Sequence, residues 1–273
     1  GERMAWTEES PFQALALTGG GYRGLFTARA LQEMEDHIGE PIGRRFDLSY
    51  GTSIGGIIAL AVAFEVPMQK VVEAFEKSGE KIFPPREKPT GRWGKGKDIF
   101  DHRSKPRYRS QDLRDVITSL IPENATLNDA IHAVGIPAVN VTTGKPQVFK
   151  TRHKAEWTRD WKYKVVDVAL ATSAAPTFFE LAEVDGQRYA DGGLYANAPD
   201  LLALHEAEHF YGLSSSAVRI LSVGTTTNMY SLSFDSGREL GVLDWMDDNR
   251  LFSVTISSQQ QLADQLRQHN LKD

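Results

Sequence analysis

The stretch YGTSIGG, Tyr50–Gly56, joins a short run with apolar members, Phe46–Tyr50, to an uninterrupted apolar run, Ile57–Phe64. This order predicts a strand, a sharp turn and a helix. Glycines on both sides of Ser53 would let the backbone turn tightly enough to expose the serine oxygen at the end of a sheet, as in a nucleophile elbow. The amides at the start of the helix would favour negative charge there. The alternative interpretation is a glycine-rich turn whose serine only caps a buried helix.

The composition of the chain bounds its class. With 273 residues and 41% hydrophobic residues, we expect one large α/β domain over residues 1–273. The chain has no cysteine, which excludes disulfides, thiolate metal ligands and a cysteine nucleophile. No apolar run approaches the length of a membrane span, and the first ten residues are polar, so we expect a soluble, cytoplasmic protein.

The charge of the chain is unevenly distributed. The net charge is −5, but Arg86–Arg109 holds nine basic residues against three acidic ones, a net of +6, which leaves −11 for the remainder. Such a segment can meet phosphates of lipid, nucleotide or nucleic acid, although a solvated charged loop is the commoner explanation. Trp93, Ile99 and Phe100 add apolar anchors to it. We therefore interpret residues 82–110 as a lid or an interfacial segment.

Strand and helix patterns alternate along the chain, which predicts a three-layer α/β fold with a central, largely parallel sheet flanked by helices. A first strand, Gln13–Leu17, runs into a glycine-rich loop, and a helix follows at Leu25–Ile38 with Gly39 as its C-cap. Further helices are predicted at Val71–Phe75, Gln111–Leu120, Val165–Ala171 and Leu201–Tyr211, and strands at Gly135–Val141, Gln147–Lys150, Phe179–Val184, Gln187–Ala190 and Val218–Gly224. Asp185-Gly186 predicts a two-residue hairpin turn, and the polar remainder of the chain looks largely helical.

Three of these features bring together the groups that acyl transfer requires. They are the loop Gly19–Gly24 after the first strand, Ser53 after a later strand, and Asp191 at the end of another. Sites in such sheets assemble outside the carboxyl ends of the strands, so all three can share one crevice. They would supply a nucleophile, a proton acceptor and amides for the oxyanion. Because a carboxylate is a weak base for a serine hydroxyl, we expect partial desolvation in a dry, apolar crevice.

The sequence resembles the patatin-like phospholipases at four blocks that occur in the family's order between residues 13 and 199. The blocks are GGGYRG at Gly19–Gly24, GTSIGG at Gly51–Gly56, ATSAAPTFF at Ala171–Phe179 and DGG at Asp191–Gly193. The resemblance implies a Ser-Asp dyad that needs no histidine, metal or cofactor. In detail it implies Ser53 as nucleophile, Asp191 as proton acceptor, Gly51 and Gly55 as the glycines of the elbow, and an oxyanion loop of Gly19, Gly20, Gly21, Tyr22, Arg23 and Gly24.

The same resemblance implies a function and partners. It implies a phospholipase A type enzyme that cleaves fatty acyl esters of membrane glycerophospholipids at the inner face of the membrane. It also extends to bacterial effectors of anti-phage signalling that are switched on by cyclic dinucleotides. No stable nucleic-acid partner is expected. The sequence leaves the head-group preference and the oligomeric state open, a homo-oligomer included.

Three alternatives compete with this interpretation. Gly19-x-Gly21-x-x-Gly24 fits the fingerprint of an NAD(P)-binding oxidoreductase, although the acidic residue that the fingerprint needs is represented only by Asp47, inside the short second strand. His205-Glu206-Ala207-Glu208-His209 fits H-E-x-x-H, a zinc motif, and His205 is also the one plausible triad histidine after Asp191. The basic segment could instead belong to a non-enzymatic nucleic-acid-binding protein.

Overall fold

The computed structural model describes residues 6–18, 23–82, 110–174, 181–192, 199–223 and 229–233. Within these residues the strands form one eight-stranded sheet. The strands are β1 (Phe12–Leu17), β2 (Leu48–Gly51), β3 (Val134–Asn140), β4 (Lys145–Lys150), β5 (Ala182–Val184), β6 (Gln187–Asp191), β7 (Val218–Val223) and β8 (Met229–Ser233). The helices are α1 (Arg23–Ile38), α2 (Ile54–Ala63), α3 (Met68–Ile82), α4 (Ser110–Leu120), α5 (Val165–Ser173) and α6 (Pro199–His205).

The sheet is parallel at its centre and antiparallel at its margins. Its order is β5-β6-β3-β2-β1-β7-β8, with β4 also paired to β3. The four strands β3, β2, β1 and β7 run parallel, whereas β4 and β6 pair antiparallel with β3, β8 pairs antiparallel with β7, and β5 pairs antiparallel with β6. The carboxyl ends of the parallel strands therefore lie along one edge of the sheet, where a site can assemble.

Helices cover both faces of the sheet, which gives the predicted three layers. On one face, buried side chains of α1, α2, α3, α4 and α5 form the larger core with Leu15, Leu17, Leu221 and Val223. On the other face, Ala203 of α6 packs with alternate residues of the same strands, including Phe12, Ala14 and Ile220. Every residue of α2 is buried, which explains why its sequence is apolar on all sides.

Most of the predicted elements are present, with shifted ends. Asp185 and Gly186 have φ values of 51° and 72°, as the hairpin turn requires. Gly39 has a φ of 70° and donates its N–H to the carbonyl of Glu35, so it ends α1 as predicted. Most of the polar sequence after Gly224, which we expect to be largely helical, lies outside the described residues. The exception is β8, a short strand that the sequence analysis did not predict and that holds two serines among its five residues.

The predicted lid lies outside the described residues except at its two ends. The helix α3 ends at Ile82 and α4 begins at Ser110. Ile82 is buried in the larger core, and so is Leu113 near the start of α4. Among the helices that the structure describes, none is long and apolar enough to cross a membrane.

Candidate active site

Ser53 lies at the sharp turn between β2 and α2. Its backbone has φ 57° and ψ −131°, a conformation that L-residues rarely adopt and that is typically retained where function requires it. Within the described part of the chain, its side chain makes no hydrogen bond that caps α2. The side chain is half-buried. This geometry does not support the interpretation of Ser53 as a simple helix cap, and it leaves the hydroxyl available for chemistry.

Two glycines of the turn are required by close backbone contacts. A Cβ on Gly51 would lie 2.2 Å from the carbonyl oxygen of Gly55, and a Cβ on Gly55 would lie 2.5 Å from the carbonyl oxygen of Leu17. Because both neighbours are backbone atoms, neither clash could be relieved by rotating a side chain. The turn can therefore form only with glycine at these positions, and the second contact presses it against the end of β1.

The described residues on both sides of the glycine-rich loop lie beside this turn. The loop begins after Thr18, whose N–H donates to the carbonyl of Val223 at 3.2 Å. Of its residues, Gly19–Tyr22 lie outside the described residues, and Arg23 begins α1. A Cβ on Gly24 would lie 2.2 Å from Cγ2 of Ile54, so the first turn of α1 abuts the residue that follows Ser53. The N-terminal ends of α1 and α2 thus converge next to Ser53, where their dipoles favour an anion.

Asp191 reaches the same region from the opposite direction. It is the last residue of β6, its side chain is buried, and its N–H donates to the carbonyl of Ala174 at 3.0 Å. It pairs with Ala138 of β3, whereas Tyr50 of β2 pairs with Gly135. Strands β2 and β6 run in opposite directions towards this short interval of β3, so their carboxyl ends face each other. Ser53 follows the end of β2 by two residues, and Asp191 is the last residue of β6.

Hydrogen bonds assign β2 and β6 to the same edge of β3. Ser49 of β2 donates its N–H to the carbonyl of Ala133, and Val141 donates its N–H to the carbonyl of Arg188 in β6. The other edge is occupied by β4 along Gly135–Asn140. Between the two pairings lie Ile136 and Pro137, and Pro137 is the one that faces this edge. A Cβ on Gly192 would lie 2.1 Å from the carbonyl oxygen of Pro137, so the chain that leaves Asp191 passes directly over this gap.

Thr172 connects these parts, although the sequence analysis assigned it no role. Its Oγ1 accepts the N–H of Ser53 at 3.0 Å and donates to the carbonyl of Pro137 at 2.6 Å. Thr172 lies inside the family-like block Ala171–Phe179, but nothing in that block indicates a contact with a residue 119 positions away. Only the fold could identify the pairing.

The acidic residue of the dinucleotide-binding motif makes a structural hydrogen bond. Asp47 accepts the N–H of Gln13 through Oδ2 at 2.9 Å, which holds it at the amino end of β1, a strand length away from the glycine-rich loop. The carboxylate of Asp47 is therefore not positioned to bind the ribose of a dinucleotide at that loop. This position argues against the oxidoreductase interpretation.

The zinc-like motif is also explained by structure. Glu206 is buried; its Oε1 lies 2.8 Å from Nε2 of His153 and 3.4 Å from Nζ of Lys150. Burial works against its charged form, but the hydrogen bond with His153 and the nearby ammonium of Lys150 hold the pKa of Glu206 below its usual range. The rings of His205 and His209 stack with centroids 5.1 Å apart. Among the described residues, no group of three or more His, Asp or Glu could hold a metal. The basic segment that a nucleic-acid-binding role would use lies outside them.

Comparison with known proteins assigns the chain to a family. The family model described as patatin-like phospholipase matches residues 15–204. A cGAMP-activated phospholipase of Pseudomonas aeruginosa is 40% identical over 256 residues, covering 93% of this chain and 74% of the relative. A protein of the same description from Vibrio cholerae is also 40% identical, covering 91% and 74%. A cUMP-AMP-activated phospholipase of Escherichia coli is 26% identical, covering 78% and 64%. The chain belongs to the patatin-like phospholipase family and is a lipid acyl hydrolase.

Proposed function

We propose that the protein cleaves fatty acyl esters of membrane glycerophospholipids with Ser53 as nucleophile and Asp191 as general base. One observation carries this proposal: β2 and β6 run head-on along one edge of β3, with Ser53 in a rare backbone conformation after one end and Asp191 buried at the other. Family membership supports the substrate class, since patatin-like enzymes with the name phospholipase cover most of this chain.

The reaction would proceed in two halves. Ser53 Oγ attacks the acyl carbonyl while its proton passes to the Asp191 carboxylate, and the tetrahedral oxyanion forms. Collapse of that intermediate breaks the ester bond, and the protonated Asp191 returns its proton to the departing alkoxide of the lysophospholipid. Water, deprotonated by Asp191, then attacks the acyl-enzyme. Collapse of the second tetrahedral intermediate releases the fatty acid, and Asp191 returns the proton to Ser53 Oγ. The amide ends of α1 and α2 beside Ser53 suit the negative charge of both tetrahedral intermediates.

The proposal includes regulation by a cyclic dinucleotide. Two relatives that are 40% identical are named as cGAMP-activated, and a relative that is 26% identical is named as cUMP-AMP-activated. The higher identity favours cGAMP as the first candidate. Such control suits an enzyme whose substrate is the membrane of its own cell, and it would make the protein an effector of anti-phage signalling. The partners proposed are thus a bilayer surface and a cyclic dinucleotide activator.

The dyad is tested by replacing each residue with alanine. We expect Ser53→Ala and Asp191→Ala each to abolish hydrolysis of a fatty acyl ester while leaving the circular dichroism spectrum unchanged. Because members of a catalytic unit act together, the double variant should be scarcely slower than either single one. The control is His205→Ala, which should retain activity because a dyad needs no histidine. Substantial turnover by folded Ser53→Ala protein would refute the proposed function.

A further inference from the structure

In the interval of β3 between β2 and β6, a side chain and not a neighbouring strand supplies the hydrogen bond to the backbone. Along this edge, the carbonyl of Ala133 accepts a hydrogen bond from Ser49 of β2, and the N–H of Val141 donates one to Arg188 of β6. Pro137 lies midway between these two residues and pairs with neither strand. Proline has no N–H to donate. Its carbonyl is the one group at this position that needs a partner, and the hydroxyl of Thr172 supplies it at 2.6 Å.

The two hydrogen bonds of the Thr172 hydroxyl determine which one it accepts and which one it donates. A hydroxyl has one hydrogen to donate and two lone pairs to accept. Because the backbone N–H of Ser53 is itself a donor, Thr172 must accept from it, and its own hydrogen is then directed at the carbonyl of Pro137. Thr172 is fully buried, so water cannot replace either bond. Two residues further on, the carbonyl of Ala174 accepts the N–H of Asp191.

We propose that Thr172 is a positioning residue that holds the Ser53 turn in register with Asp191. The end of α5 carries both attachments: Thr172 holds the backbone of Ser53, and Ala174 holds the backbone of Asp191. The unusual backbone conformation of Ser53 persists only where its surroundings determine it, and the bond to its N–H is one such determinant. The inference rests on the proposed function, since it assigns a task that matters only if Ser53 and Asp191 react together.

The first test compares two substitutions at Thr172 that differ in the hydroxyl. Thr172→Val keeps the shape of the side chain and removes both hydrogen bonds, whereas Thr172→Ser keeps the hydroxyl. We expect Thr172→Val to lower kcat by about 100-fold with little change in KM, since a displacement of about 1 Å in a catalytic group can cost that much. We expect Thr172→Ser to stay within about threefold of the wild type.

Thr151→Val is the matched control for lost stability. Thr151 is also a buried threonine on the backbone of β3, and its Oγ1 accepts the N–H of Val134 at 3.0 Å, at the opposite end of the strand. Its replacement removes the same kind of bond away from the turn. We expect Thr151→Val to lower the melting temperature as Thr172→Val does and to retain wild-type kcat. Equal losses of kcat in both variants would overturn the proposal, because the effect would then be one of general stability.

A second readout separates this proposal from the proposed function. A fluorophosphonate probe should label Ser53 of the wild type and of Thr172→Ser, and label Thr172→Val about 100-fold more slowly. If the wild type is labelled at Ser53 and folded Thr172→Val is labelled at the same rate, the positioning role is wrong while the nucleophile assignment stands. If the wild type is not labelled at Ser53, the proposed function and this inference both fall.

A third variant tests the same contact should Thr172→Val not fold. A Cβ on Gly56 would lie 2.7 Å from Cγ2 of Thr172 and 3.0 Å from the carbonyl oxygen of Gly51. Gly56→Ala should therefore displace the threonine, the nearer of the two, and slow labelling of Ser53. Serine lacks that methyl group. We therefore expect the double variant Gly56→Ala, Thr172→Ser to be labelled faster than Gly56→Ala alone. A double variant as slow as Gly56→Ala would overturn the proposal.

Discussion

Pro137 is an unusual residue for the middle of a sheet. Proline removes a donor from the ladder and is normally confined to edges, bulges and strand ends. Here it lies in β3, whose two edges are paired with β4 and with β2 and β6. It is tolerated because its missing N–H faces the interval between the carboxyl ends of β2 and β6. One residue thereby marks the interval across which the two strand ends face each other, the end that Ser53 follows and the end that Asp191 occupies.

The residue next to Asp191 gives a direct test of how tightly this interval is packed. In Gly192→Ala the new Cβ would lie 2.1 Å from the carbonyl oxygen of Pro137, and the chain that carries Asp191 would have to move. We expect kcat for a fatty acyl ester to fall by about 100-fold or more, as for a misplacement of about 1 Å. Gly144→Ala is the control: it has a φ of 70° and nothing within 4 Å, so it should cost about 1 kcal/mol of stability and no activity. Wild-type kcat in Gly192→Ala would contradict the close approach.

At the scale of elements, α2 is fixed at both ends. It starts at the strained turn of Ser53 and ends in a Schellman motif, in which Glu65 donates its N–H to the carbonyl of Val62 and Val66 donates to that of Ala61. Glu65 has a φ of 53°, a position where glycine is usual. Its carboxylate accepts two bonds from Arg44 and lies 2.9 Å from Nε2 of His132. These contacts offset the backbone strain and tie the end of α2 to two other segments.

The charge on Glu65 should make this cap depend on pH. Hydrogen bonds from Arg44 and His132 lower the pKa of Glu65 from 4.5 to about 2. A lowered folded-state pKa stabilises the protein above the unfolded value near 4.5, and the contribution is lost as the pH falls towards 2. We expect Glu65→Gln to lose about 1 kcal/mol of unfolding free energy at pH 7, a value reduced by solvent screening at this partly exposed site. Urea denaturation at several pH values would measure it.

The control for this prediction is Glu33→Gln on the exposed side of α1, which should change stability by less than about 0.5 kcal/mol. The difference between wild type and Glu65→Gln should shrink as the pH falls below 4.5. A difference that is the same at pH 3 and pH 7 would show that the carboxylate charge contributes nothing to the cap.

The elements that could be predicted from sequence are those specified by neighbouring residues. The turn at Ser53, the hairpin at Asp185 and the cap at Gly39 each depend on a few consecutive residues, so their patterns were readable. That β2 and β6 share one edge of β3 could not be predicted, because it depends on pairings between segments that are distant in the sequence. The bond between Ser53 and Thr172 spans 119 positions. Buried Glu206 could not be told from a zinc-motif glutamate, because its partners His153 and Lys150 lie more than fifty residues earlier.

At the scale of the whole molecule, the uneven charge distribution bears on how the enzyme meets lipid. Outside Arg86–Arg109 the chain carries a net charge of −11, which would be repelled by an anionic bilayer. The basic segment lies in sequence between α3 and α4, and both of these helices pack in the core on the same face of the sheet as α2. The helix that follows the candidate nucleophile and the helices that flank the basic segment therefore share one side of the protein.

Regulation can be tested apart from membrane binding. If cGAMP is the activator, it should bind without lipid, stabilise the fold by RT ln(1 + [L]/Kd), about 2.7 kcal/mol at a hundredfold excess over Kd, and raise hydrolysis of a small soluble ester, because an activating ligand must favour the competent state. Thermal shift and esterase assays measure the two effects. Ser53→Ala is the matched control, since it should keep the thermal shift and lose hydrolysis. Full activation by liposomes alone, stronger with anionic lipid and weaker at high salt, together with no thermal shift from any cyclic di- or trinucleotide, would contradict nucleotide control and assign activation to the membrane surface.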